Sequence, residues 1–220
     1  MYAAAPEPDF AITGVAHLAY SAIPTLVFSA TASDPTGHEI DSVALSVQVM
    51  IDPARRGYDP ATRERLTELF GPPATWTPST QSLAWARVTA AVSAFAGSTS
   101  FALEVPCTYD LEVAAAKYFY ALRDGLVPLS FHFNGTVFYR GADGRLQGVP
   151  VPWSATARFS MPIAAWQAMI AEHYPGGGWV RLQHDTFEAL NARRARDGAP
   201  SFDACVADLL ARDREGGDAR

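Results

Sequence analysis

Only one lysine, Lys117, and only two cysteines, Cys107 and Cys205, occur in 220 residues. Charged residues make up 18% and the formal net charge is −6. This shortage of positive charge argues against nucleic acid, because phosphate binding needs a basic stripe that releases counterions. It argues equally against an anionic membrane surface. Neither cysteine belongs to a C-x-x-C pair, so both read as buried thiols in a reducing compartment, not as a disulfide or a metal site. No apolar run approaches the roughly 18 residues of a membrane span. The opening "MYAAAPEPDF" lacks the basic and apolar parts of a signal peptide and reads as a loose leader, residues 1–9. The expectation is a cytoplasmic protein with no membrane insertion and no nucleic-acid partner. Protein or neutral small-molecule partners stay open.

What is present is enough apolar residue, 49%, to bury a sizeable core. Residues 10–18 and 24–33 are β-rich and bounded by turn residues. Residues 40–51 alternate, with Val43, Leu45, Val47 and Val49 on one face, the pattern of a half-buried strand. Residues 59–71 read as a short helix, with Asp59 as cap, Pro60 in its first position and an apolar stripe of Leu66, Leu69 and Phe70. Two strands follow, 83–95 and 99–106, joined around Gly97. Residues 109–125 have Ala-rich helical composition with Asp110 as a cap, but they also alternate at Leu111, Val113 and Ala115. Strands on either side tip the reading slightly towards strand, but periodicity alone does not decide between strand and helix for residues 109–123. "LVPLSFHFNGTVFYR" (126–140) is β, either a hairpin turning at Asn134-Gly135 or one long strand bulged at Gly135. Residues 146–160 read as a proline-broken edge strand.

The last third is helical. Pro162 starts a helix whose apolar face is Ile163, Trp166, Ile170 and Tyr174. Asp185 with Glu188 has the spacing of a capping box. Ser201 opens a final helix burying Phe202, Cys205, Val206, Leu209 and Leu210. The fold class is mainly β, an antiparallel sandwich or partly open barrel with C-terminal helices packed at one end. The organisation expected is a single domain over 1–220. Its β core spans 10–160, its helical region 161–214 and a frayed tail 215–220.

Chemistry is sparse. In "HYPGGGWVRLQ" (173–183) the glycines follow a helix and precede a short strand-like run, and no Gly-Lys-Ser/Thr follows. That is a helix stop and hinge, not a phosphate loop. The five histidines make neither H-x-x-x-H nor H-x-H, so no metal pair is visible. His132 falls on the face opposite Phe131 and Phe133. There is no G-x-S-x-G. Cys107 lies beside Asp110 and Glu112, and acidic neighbours raise a thiol's pKa, the wrong direction for a nucleophile. No catalytic residue, cofactor or metal is assigned. Aromatics crowd residues 118–139, and a surplus of them would mark an interface. Tyr118, Tyr120 and Trp179 are the candidate interaction surface. A small-molecule pocket in a β-barrel is the alternative, with Lys117, His132 and Glu104 converging in it, joined by Tyr120.

The phrase "PCTYDLEVAAAKYFYALRDGLVPLSFHFNGTVFYR" (106–140) resembles a bacterial family of unknown function of about this length. So do "VPWSATARF", "HYPGGGWVRLQHDTFEALNARRARDG" and "SFDACVADLL". Members of that family are encoded beside high-affinity nickel–iron ([NiFe]) uptake hydrogenase genes. The resemblance implies a non-catalytic accessory role in assembling, scaffolding or connecting such a hydrogenase. It implies protein partners among hydrogenase subunits or maturation factors, and it supplies no site residues. Self-association into a homo-oligomer stays open.

Overall fold

The structure, a computed structural model, describes residues 5–76, 81–108, 110, 113–141, 143–178 and 180–217. It divides into two compact units, residues 1–179 and 180–220.

The first unit is built on two open antiparallel sheets. One is three-stranded, in the order β1 (Asp9–His17), β2 (Thr25–Ser33), β6 (Ser98–Pro106). The other runs β4 (Leu83–Val92), β3 (Glu39–Ile51), β7 (Leu126–Arg140), β8 (Leu146–Pro150). Two-residue β5 (Phe95–Ala96) pairs with β3, and β9 (Thr156–Pro162) pairs with β7. The sheets face each other across one core, where Phe10 stacks on Phe133 at 4.5 Å and Phe28 meets Phe131 edge-on at 5.1 Å. Strand alternation does what the sequence implies: Val43, Leu45, Val47, Val49 and Ile51 are buried on one face of β3.

The strands flanking Gly97 are not partners. β4 pairs with β3 while β6 pairs with β2, so the chain crosses between the sheets at Gly97, which has φ +76°. Residues 126–140 form one long strand, not a hairpin. Its register against β3 runs unbroken through Asn134 and Gly135. β7 then serves β9 along its first half and β8 along its second. Gly135 is required there: a Cβ would lie 1.9 Å from the Ala44 carbonyl oxygen.

The leader is tied down over its described part. Pro6 and Pro8 are buried, and the Glu7 amide donates to Asp34 at 3.3 Å. Burial works to raise the Asp34 carboxyl. Hydrogen bonds from the Thr36 hydroxyl and the amides of His38, Glu7 and Thr36 outweigh it and hold the group below its ordinary value.

The Asp59 cap forms, its carboxylate accepting from the Thr62 amide at 2.9 Å. The helix it starts comes in two pieces, α1 (Pro60–Arg65) and α2 (Thr67–Phe70), with Leu66 fully buried between them. Residues 114–121 correct the strand reading: they form helix α3 (Ala114–Ala121). Ala115, Ala116, Tyr118, Phe119, Ala121 and Leu122 are buried, a three-and-four spacing that only a helix gives. Its N-cap is Val113, whose amide reaches the Asp110 carbonyl at 3.0 Å. The carbonyls at its far end take side-chain donors: Arg65 to Ala121 at 2.7 Å, and Gln167 to Leu122 and Arg123 at 3.2 and 3.1 Å. These donors replace the intrahelical partners that a helix terminus lacks.

Helix α4 (Ile163–His173) packs on β1, β2 and β9 and so belongs with the β core. Ile163, Trp166 and Ile170 make its buried face as expected, joined by Met169. Gly176 follows with φ +67°, and added side chains at Gly176, Gly177 and Gly178 would meet nothing within 4 Å. The run lies just before the boundary between the units. Residues 180–183 form no strand.

The second unit holds α5 (His184–Asp197) and α6 (Phe202–Gly217). The expected capping box is absent: α5 starts at His184, and its N-cap, Gln183, makes no side-chain cap bond. Gly198 ends it in the left-handed conformation, and Ser201 Oγ accepts from the Ala204 amide at 3.0 Å. Cys205 is buried, but Val206 and Leu210 are exposed, against expectation. Phe187 and Phe202 meet at 5.5 Å, and the Arg194 guanidinium lies 4.7 Å from the Phe202 ring centre.

Candidate functional site

A concavity near the aromatic cluster lies between α3 and the end of α4, within the first unit. It is an open groove of about 350 Å³ lined by Tyr120, Leu122, Arg123, Trp166, Gln167, Ile170, Ala171, Tyr174, Gly176 and Gly177. Leu122, Trp166 and Ile170 are buried and form an apolar floor. Tyr120, 48% exposed, stands at the rim with Arg123 and half-buried Tyr174. Gln167 is fixed by its two bonds to the end of α3. The groove therefore has an apolar floor inside a polar and aromatic rim.

Of the three candidate surface residues, Tyr120 lines this groove. Tyr118 does not belong to any surface: it is fully buried. The helical turn that exposes Tyr120 sends Tyr118 inward, where its ring meets Tyr58 and Phe70. Its hydroxyl lies 2.7 Å from that of Tyr58, which donates to the Pro53 carbonyl at 2.8 Å. Trp179 lies outside the described residues.

The alternative pocket does not assemble. Lys117 pairs with Glu68 of α2. Glu104 is exposed on β6 of the three-stranded sheet, opposite Val27. His132 is exposed on β7 of the other sheet, between Gln48 and Thr156. These side chains stand on separate elements, and of the set Tyr120 lines the groove. Among the described residues no three His, Cys, Asp or Glu side chains gather as a metal site would require. Burial pushes the Cys107 thiol up to about 12. No described helix is long and apolar enough to cross a membrane.

The sequence reading missed the groove's floor and part of its rim. The stripe Ile163, Trp166, Ile170, Tyr174 reads simply as a core face. Only the half-exposure of Tyr174 and the neighbouring Gly176 and Gly177 distinguish its far end.

A family model described as a family of unknown function, DUF6084, matches residues 5–218. No curated protein matches the chain. Among solved structures, the chain resembles the CARDB domain of the PF1109 protein from Pyrococcus furiosus. That likeness has 9% identity and a TM-score of 0.29, over 71% of this chain and 91% of that one. It also resembles a solution structure described as a late embryogenesis abundant (LEA) protein, at 10% identity and a TM-score of 0.28, over 71% of each chain.

Proposed function

Since the chain belongs to DUF6084, a family of unknown function, we propose from its own geometry that it is a non-catalytic accessory protein acting through protein–protein contact. The observation that carries this reading is the groove between α3 and α4. Its buried Leu122, Trp166 and Ile170 floor can take an apolar or aromatic side chain, and Tyr120 and Arg123 frame the entry. Tyrosine and arginine are the residue types that dominate binding energy at interfaces. Lys117 is engaged by Glu68, and the high thiol pKa of Cys107 makes it a poor nucleophile, so neither suits a reaction at neutral pH.

The partner we propose is a subunit or maturation factor of a [NiFe] uptake hydrogenase, acted on in the cytoplasm. This finer statement rests on the family resemblance of residues 106–140 and of the C-terminal phrases. The test is capture of the tagged chain from cells expressing the hydrogenase, beside Tyr120→Ser and Arg123→Glu variants. Hydrogenase proteins should co-purify near-stoichiometrically with the wild type and at least about tenfold less with the variants, a loss of about 1.4 kcal/mol. Equal capture by all three chains overturns the groove. Absence of hydrogenase proteins from every capture overturns the partner.

A further inference from the structure

The Gln167 side chain turns its amide nitrogen to the end of α3, donating to the Leu122 carbonyl at 3.2 Å and to the Arg123 carbonyl at 3.1 Å. Carbonyl oxygens only accept, so these two bonds fix which way round the amide sits. What the side chain has left to offer is Oε1, an acceptor with no donor among the described residues. Gln167 lines the groove between α3 and α4. The groove therefore carries one oriented acceptor beside its apolar floor of Leu122, Trp166 and Ile170.

Charge in the groove has one sign. Of the described residues that line it, Arg123 alone is charged; it is exposed and forms no ion pair with any described residue. Its chain neighbour Asp124 is not part of the lining. Glu172, on the last turn of α4, is engaged away from the groove: one carboxylate oxygen accepts from the Tyr20 amide at 3.2 Å and the other lies 2.8 Å from His17 Nε2. A ligand seated on the floor thus meets a cation that no carboxylate of the lining neutralises.

A volume of about 350 Å³ stands at the small end of ligand sites, which run roughly 300–1,000 Å³. It has room for one large side chain, not for a folded surface. The floor suits an apolar body, and Oε1 requires a donor. An aliphatic or phenyl group would strip water from Oε1 and give nothing back, which weakens binding. A phenol donates but brings lone pairs that need donors of their own. An indole combines an apolar body with a single N–H that only donates. We propose that the groove takes a tryptophan side chain from a peptide segment of the partner, with the indole N–H on Gln167 Oε1 and an adjacent aspartate or glutamate on Arg123. This specificity rests on the groove being the contact site. The indole bond carries more of it than the acid, because an ion pair at an exposed rim is screened by water and salt.

The test is an NMR titration of the full chain with the blocked dipeptides acetyl-Trp-Asp-amide, acetyl-Phe-Asp-amide and acetyl-Trp-Asn-amide. The backbone amides of Ile170 and Ala171 and the side-chain amide of Gln167 report on the groove. Acetyl-Trp-Asp-amide should shift these signals saturably. The Phe peptide should bind about fivefold more weakly, the worth of one net hydrogen bond. The Asn peptide should bind about threefold more weakly, the worth of an exposed ion pair. Arg123→Gln, a change at an exposed side chain, should abolish the second difference and keep the first. If either difference is missing in the wild type while the groove signals still shift, the tryptophan–acid specificity is overturned and contact at the groove stands. If the groove signals do not shift with any peptide up to about 10 mM, tryptophan is overturned as the occupant. Whether the groove meets a partner at all is then read separately, from capture by the Tyr120→Ser chain.

Discussion

The Tyr118 hydroxyl donates to that of Tyr58 across 2.7 Å, sixty residues apart in the chain, and Tyr58 passes its own proton to the Pro53 carbonyl. This relay joins α3 to the segment after β3 inside the first unit. Removing the inner end, Tyr118→Phe, leaves Tyr58 still bonded to Pro53 and should cost about 1 kcal/mol. Removing the middle, Tyr58→Phe, strands a buried donor and a carbonyl together, and should cost about 2–3 kcal/mol. Urea unfolding of both variants checks the order. A Tyr118→Phe loss equal to or above that of Tyr58→Phe would contradict the relay.

The same pair sets an alkaline limit. Burial pushes both hydroxyls above the ordinary tyrosine value, Tyr118 further than Tyr58. The unfolded chain therefore gives up these protons first. Their contribution to stability is whole below about pH 10, the unfolded value, and is lost as pH rises beyond it. The urea midpoint should fall between about pH 9 and 11, and fall less steeply in Tyr118→Phe than in the wild type. Parallel slopes would remove the pair from the account.

Gly135 should be the least replaceable residue of the long strand. An alanine Cβ there would overlap the Ala44 carbonyl, and φ +155° is itself unfavourable for a side chain. The backbone of β3 is the obstacle, so no rotamer change relieves it. Gly135→Ala should cost more than about 3 kcal/mol or prevent folding. Gly57→Ala, where nothing lies within 4 Å, should stay within about 0.5 kcal/mol. Thermal or urea unfolding of the two side by side is the check, and similar losses would mean that β3 and β7 can move apart.

The strands were legible because burial on one face of a sheet writes a period of two into the chain, as in Val43 to Val49. Residues 114–121 were not, because the chain around them carries both periods at once. Packing of Tyr118 against Tyr58 and Phe70 decides for helix, and that contact joins distant segments. The misplaced Tyr118 follows from the same cause. The α5 start was misread because Asp185 and Glu188 have capping-box spacing but already lie inside the helix. The groove hid within an ordinary core stripe. Contacts between distant segments are hidden too: the His173 ring reaches the Ser21 carbonyl from 152 residues away, and no local pattern announces such a contact.

Cys107 offers a direct check on the interior of the three-stranded sheet's end. Its amide donates to Pro24 at 2.8 Å and its thiol to the Val105 carbonyl at 3.3 Å. Burial pushes the thiol up to about 12, so it stays protonated at any ordinary pH. Only the thiolate attacks a disulfide reagent, so Cys107 should react about a thousandfold more slowly in the folded chain than in urea at about pH 8. A Cys205→Ala background isolates the signal, because both cysteines are free. Rapid labelling of folded Cys107 would show that the β6 end opens readily. It would also restore the thiol as a candidate nucleophile, which the proposed accessory role does not need.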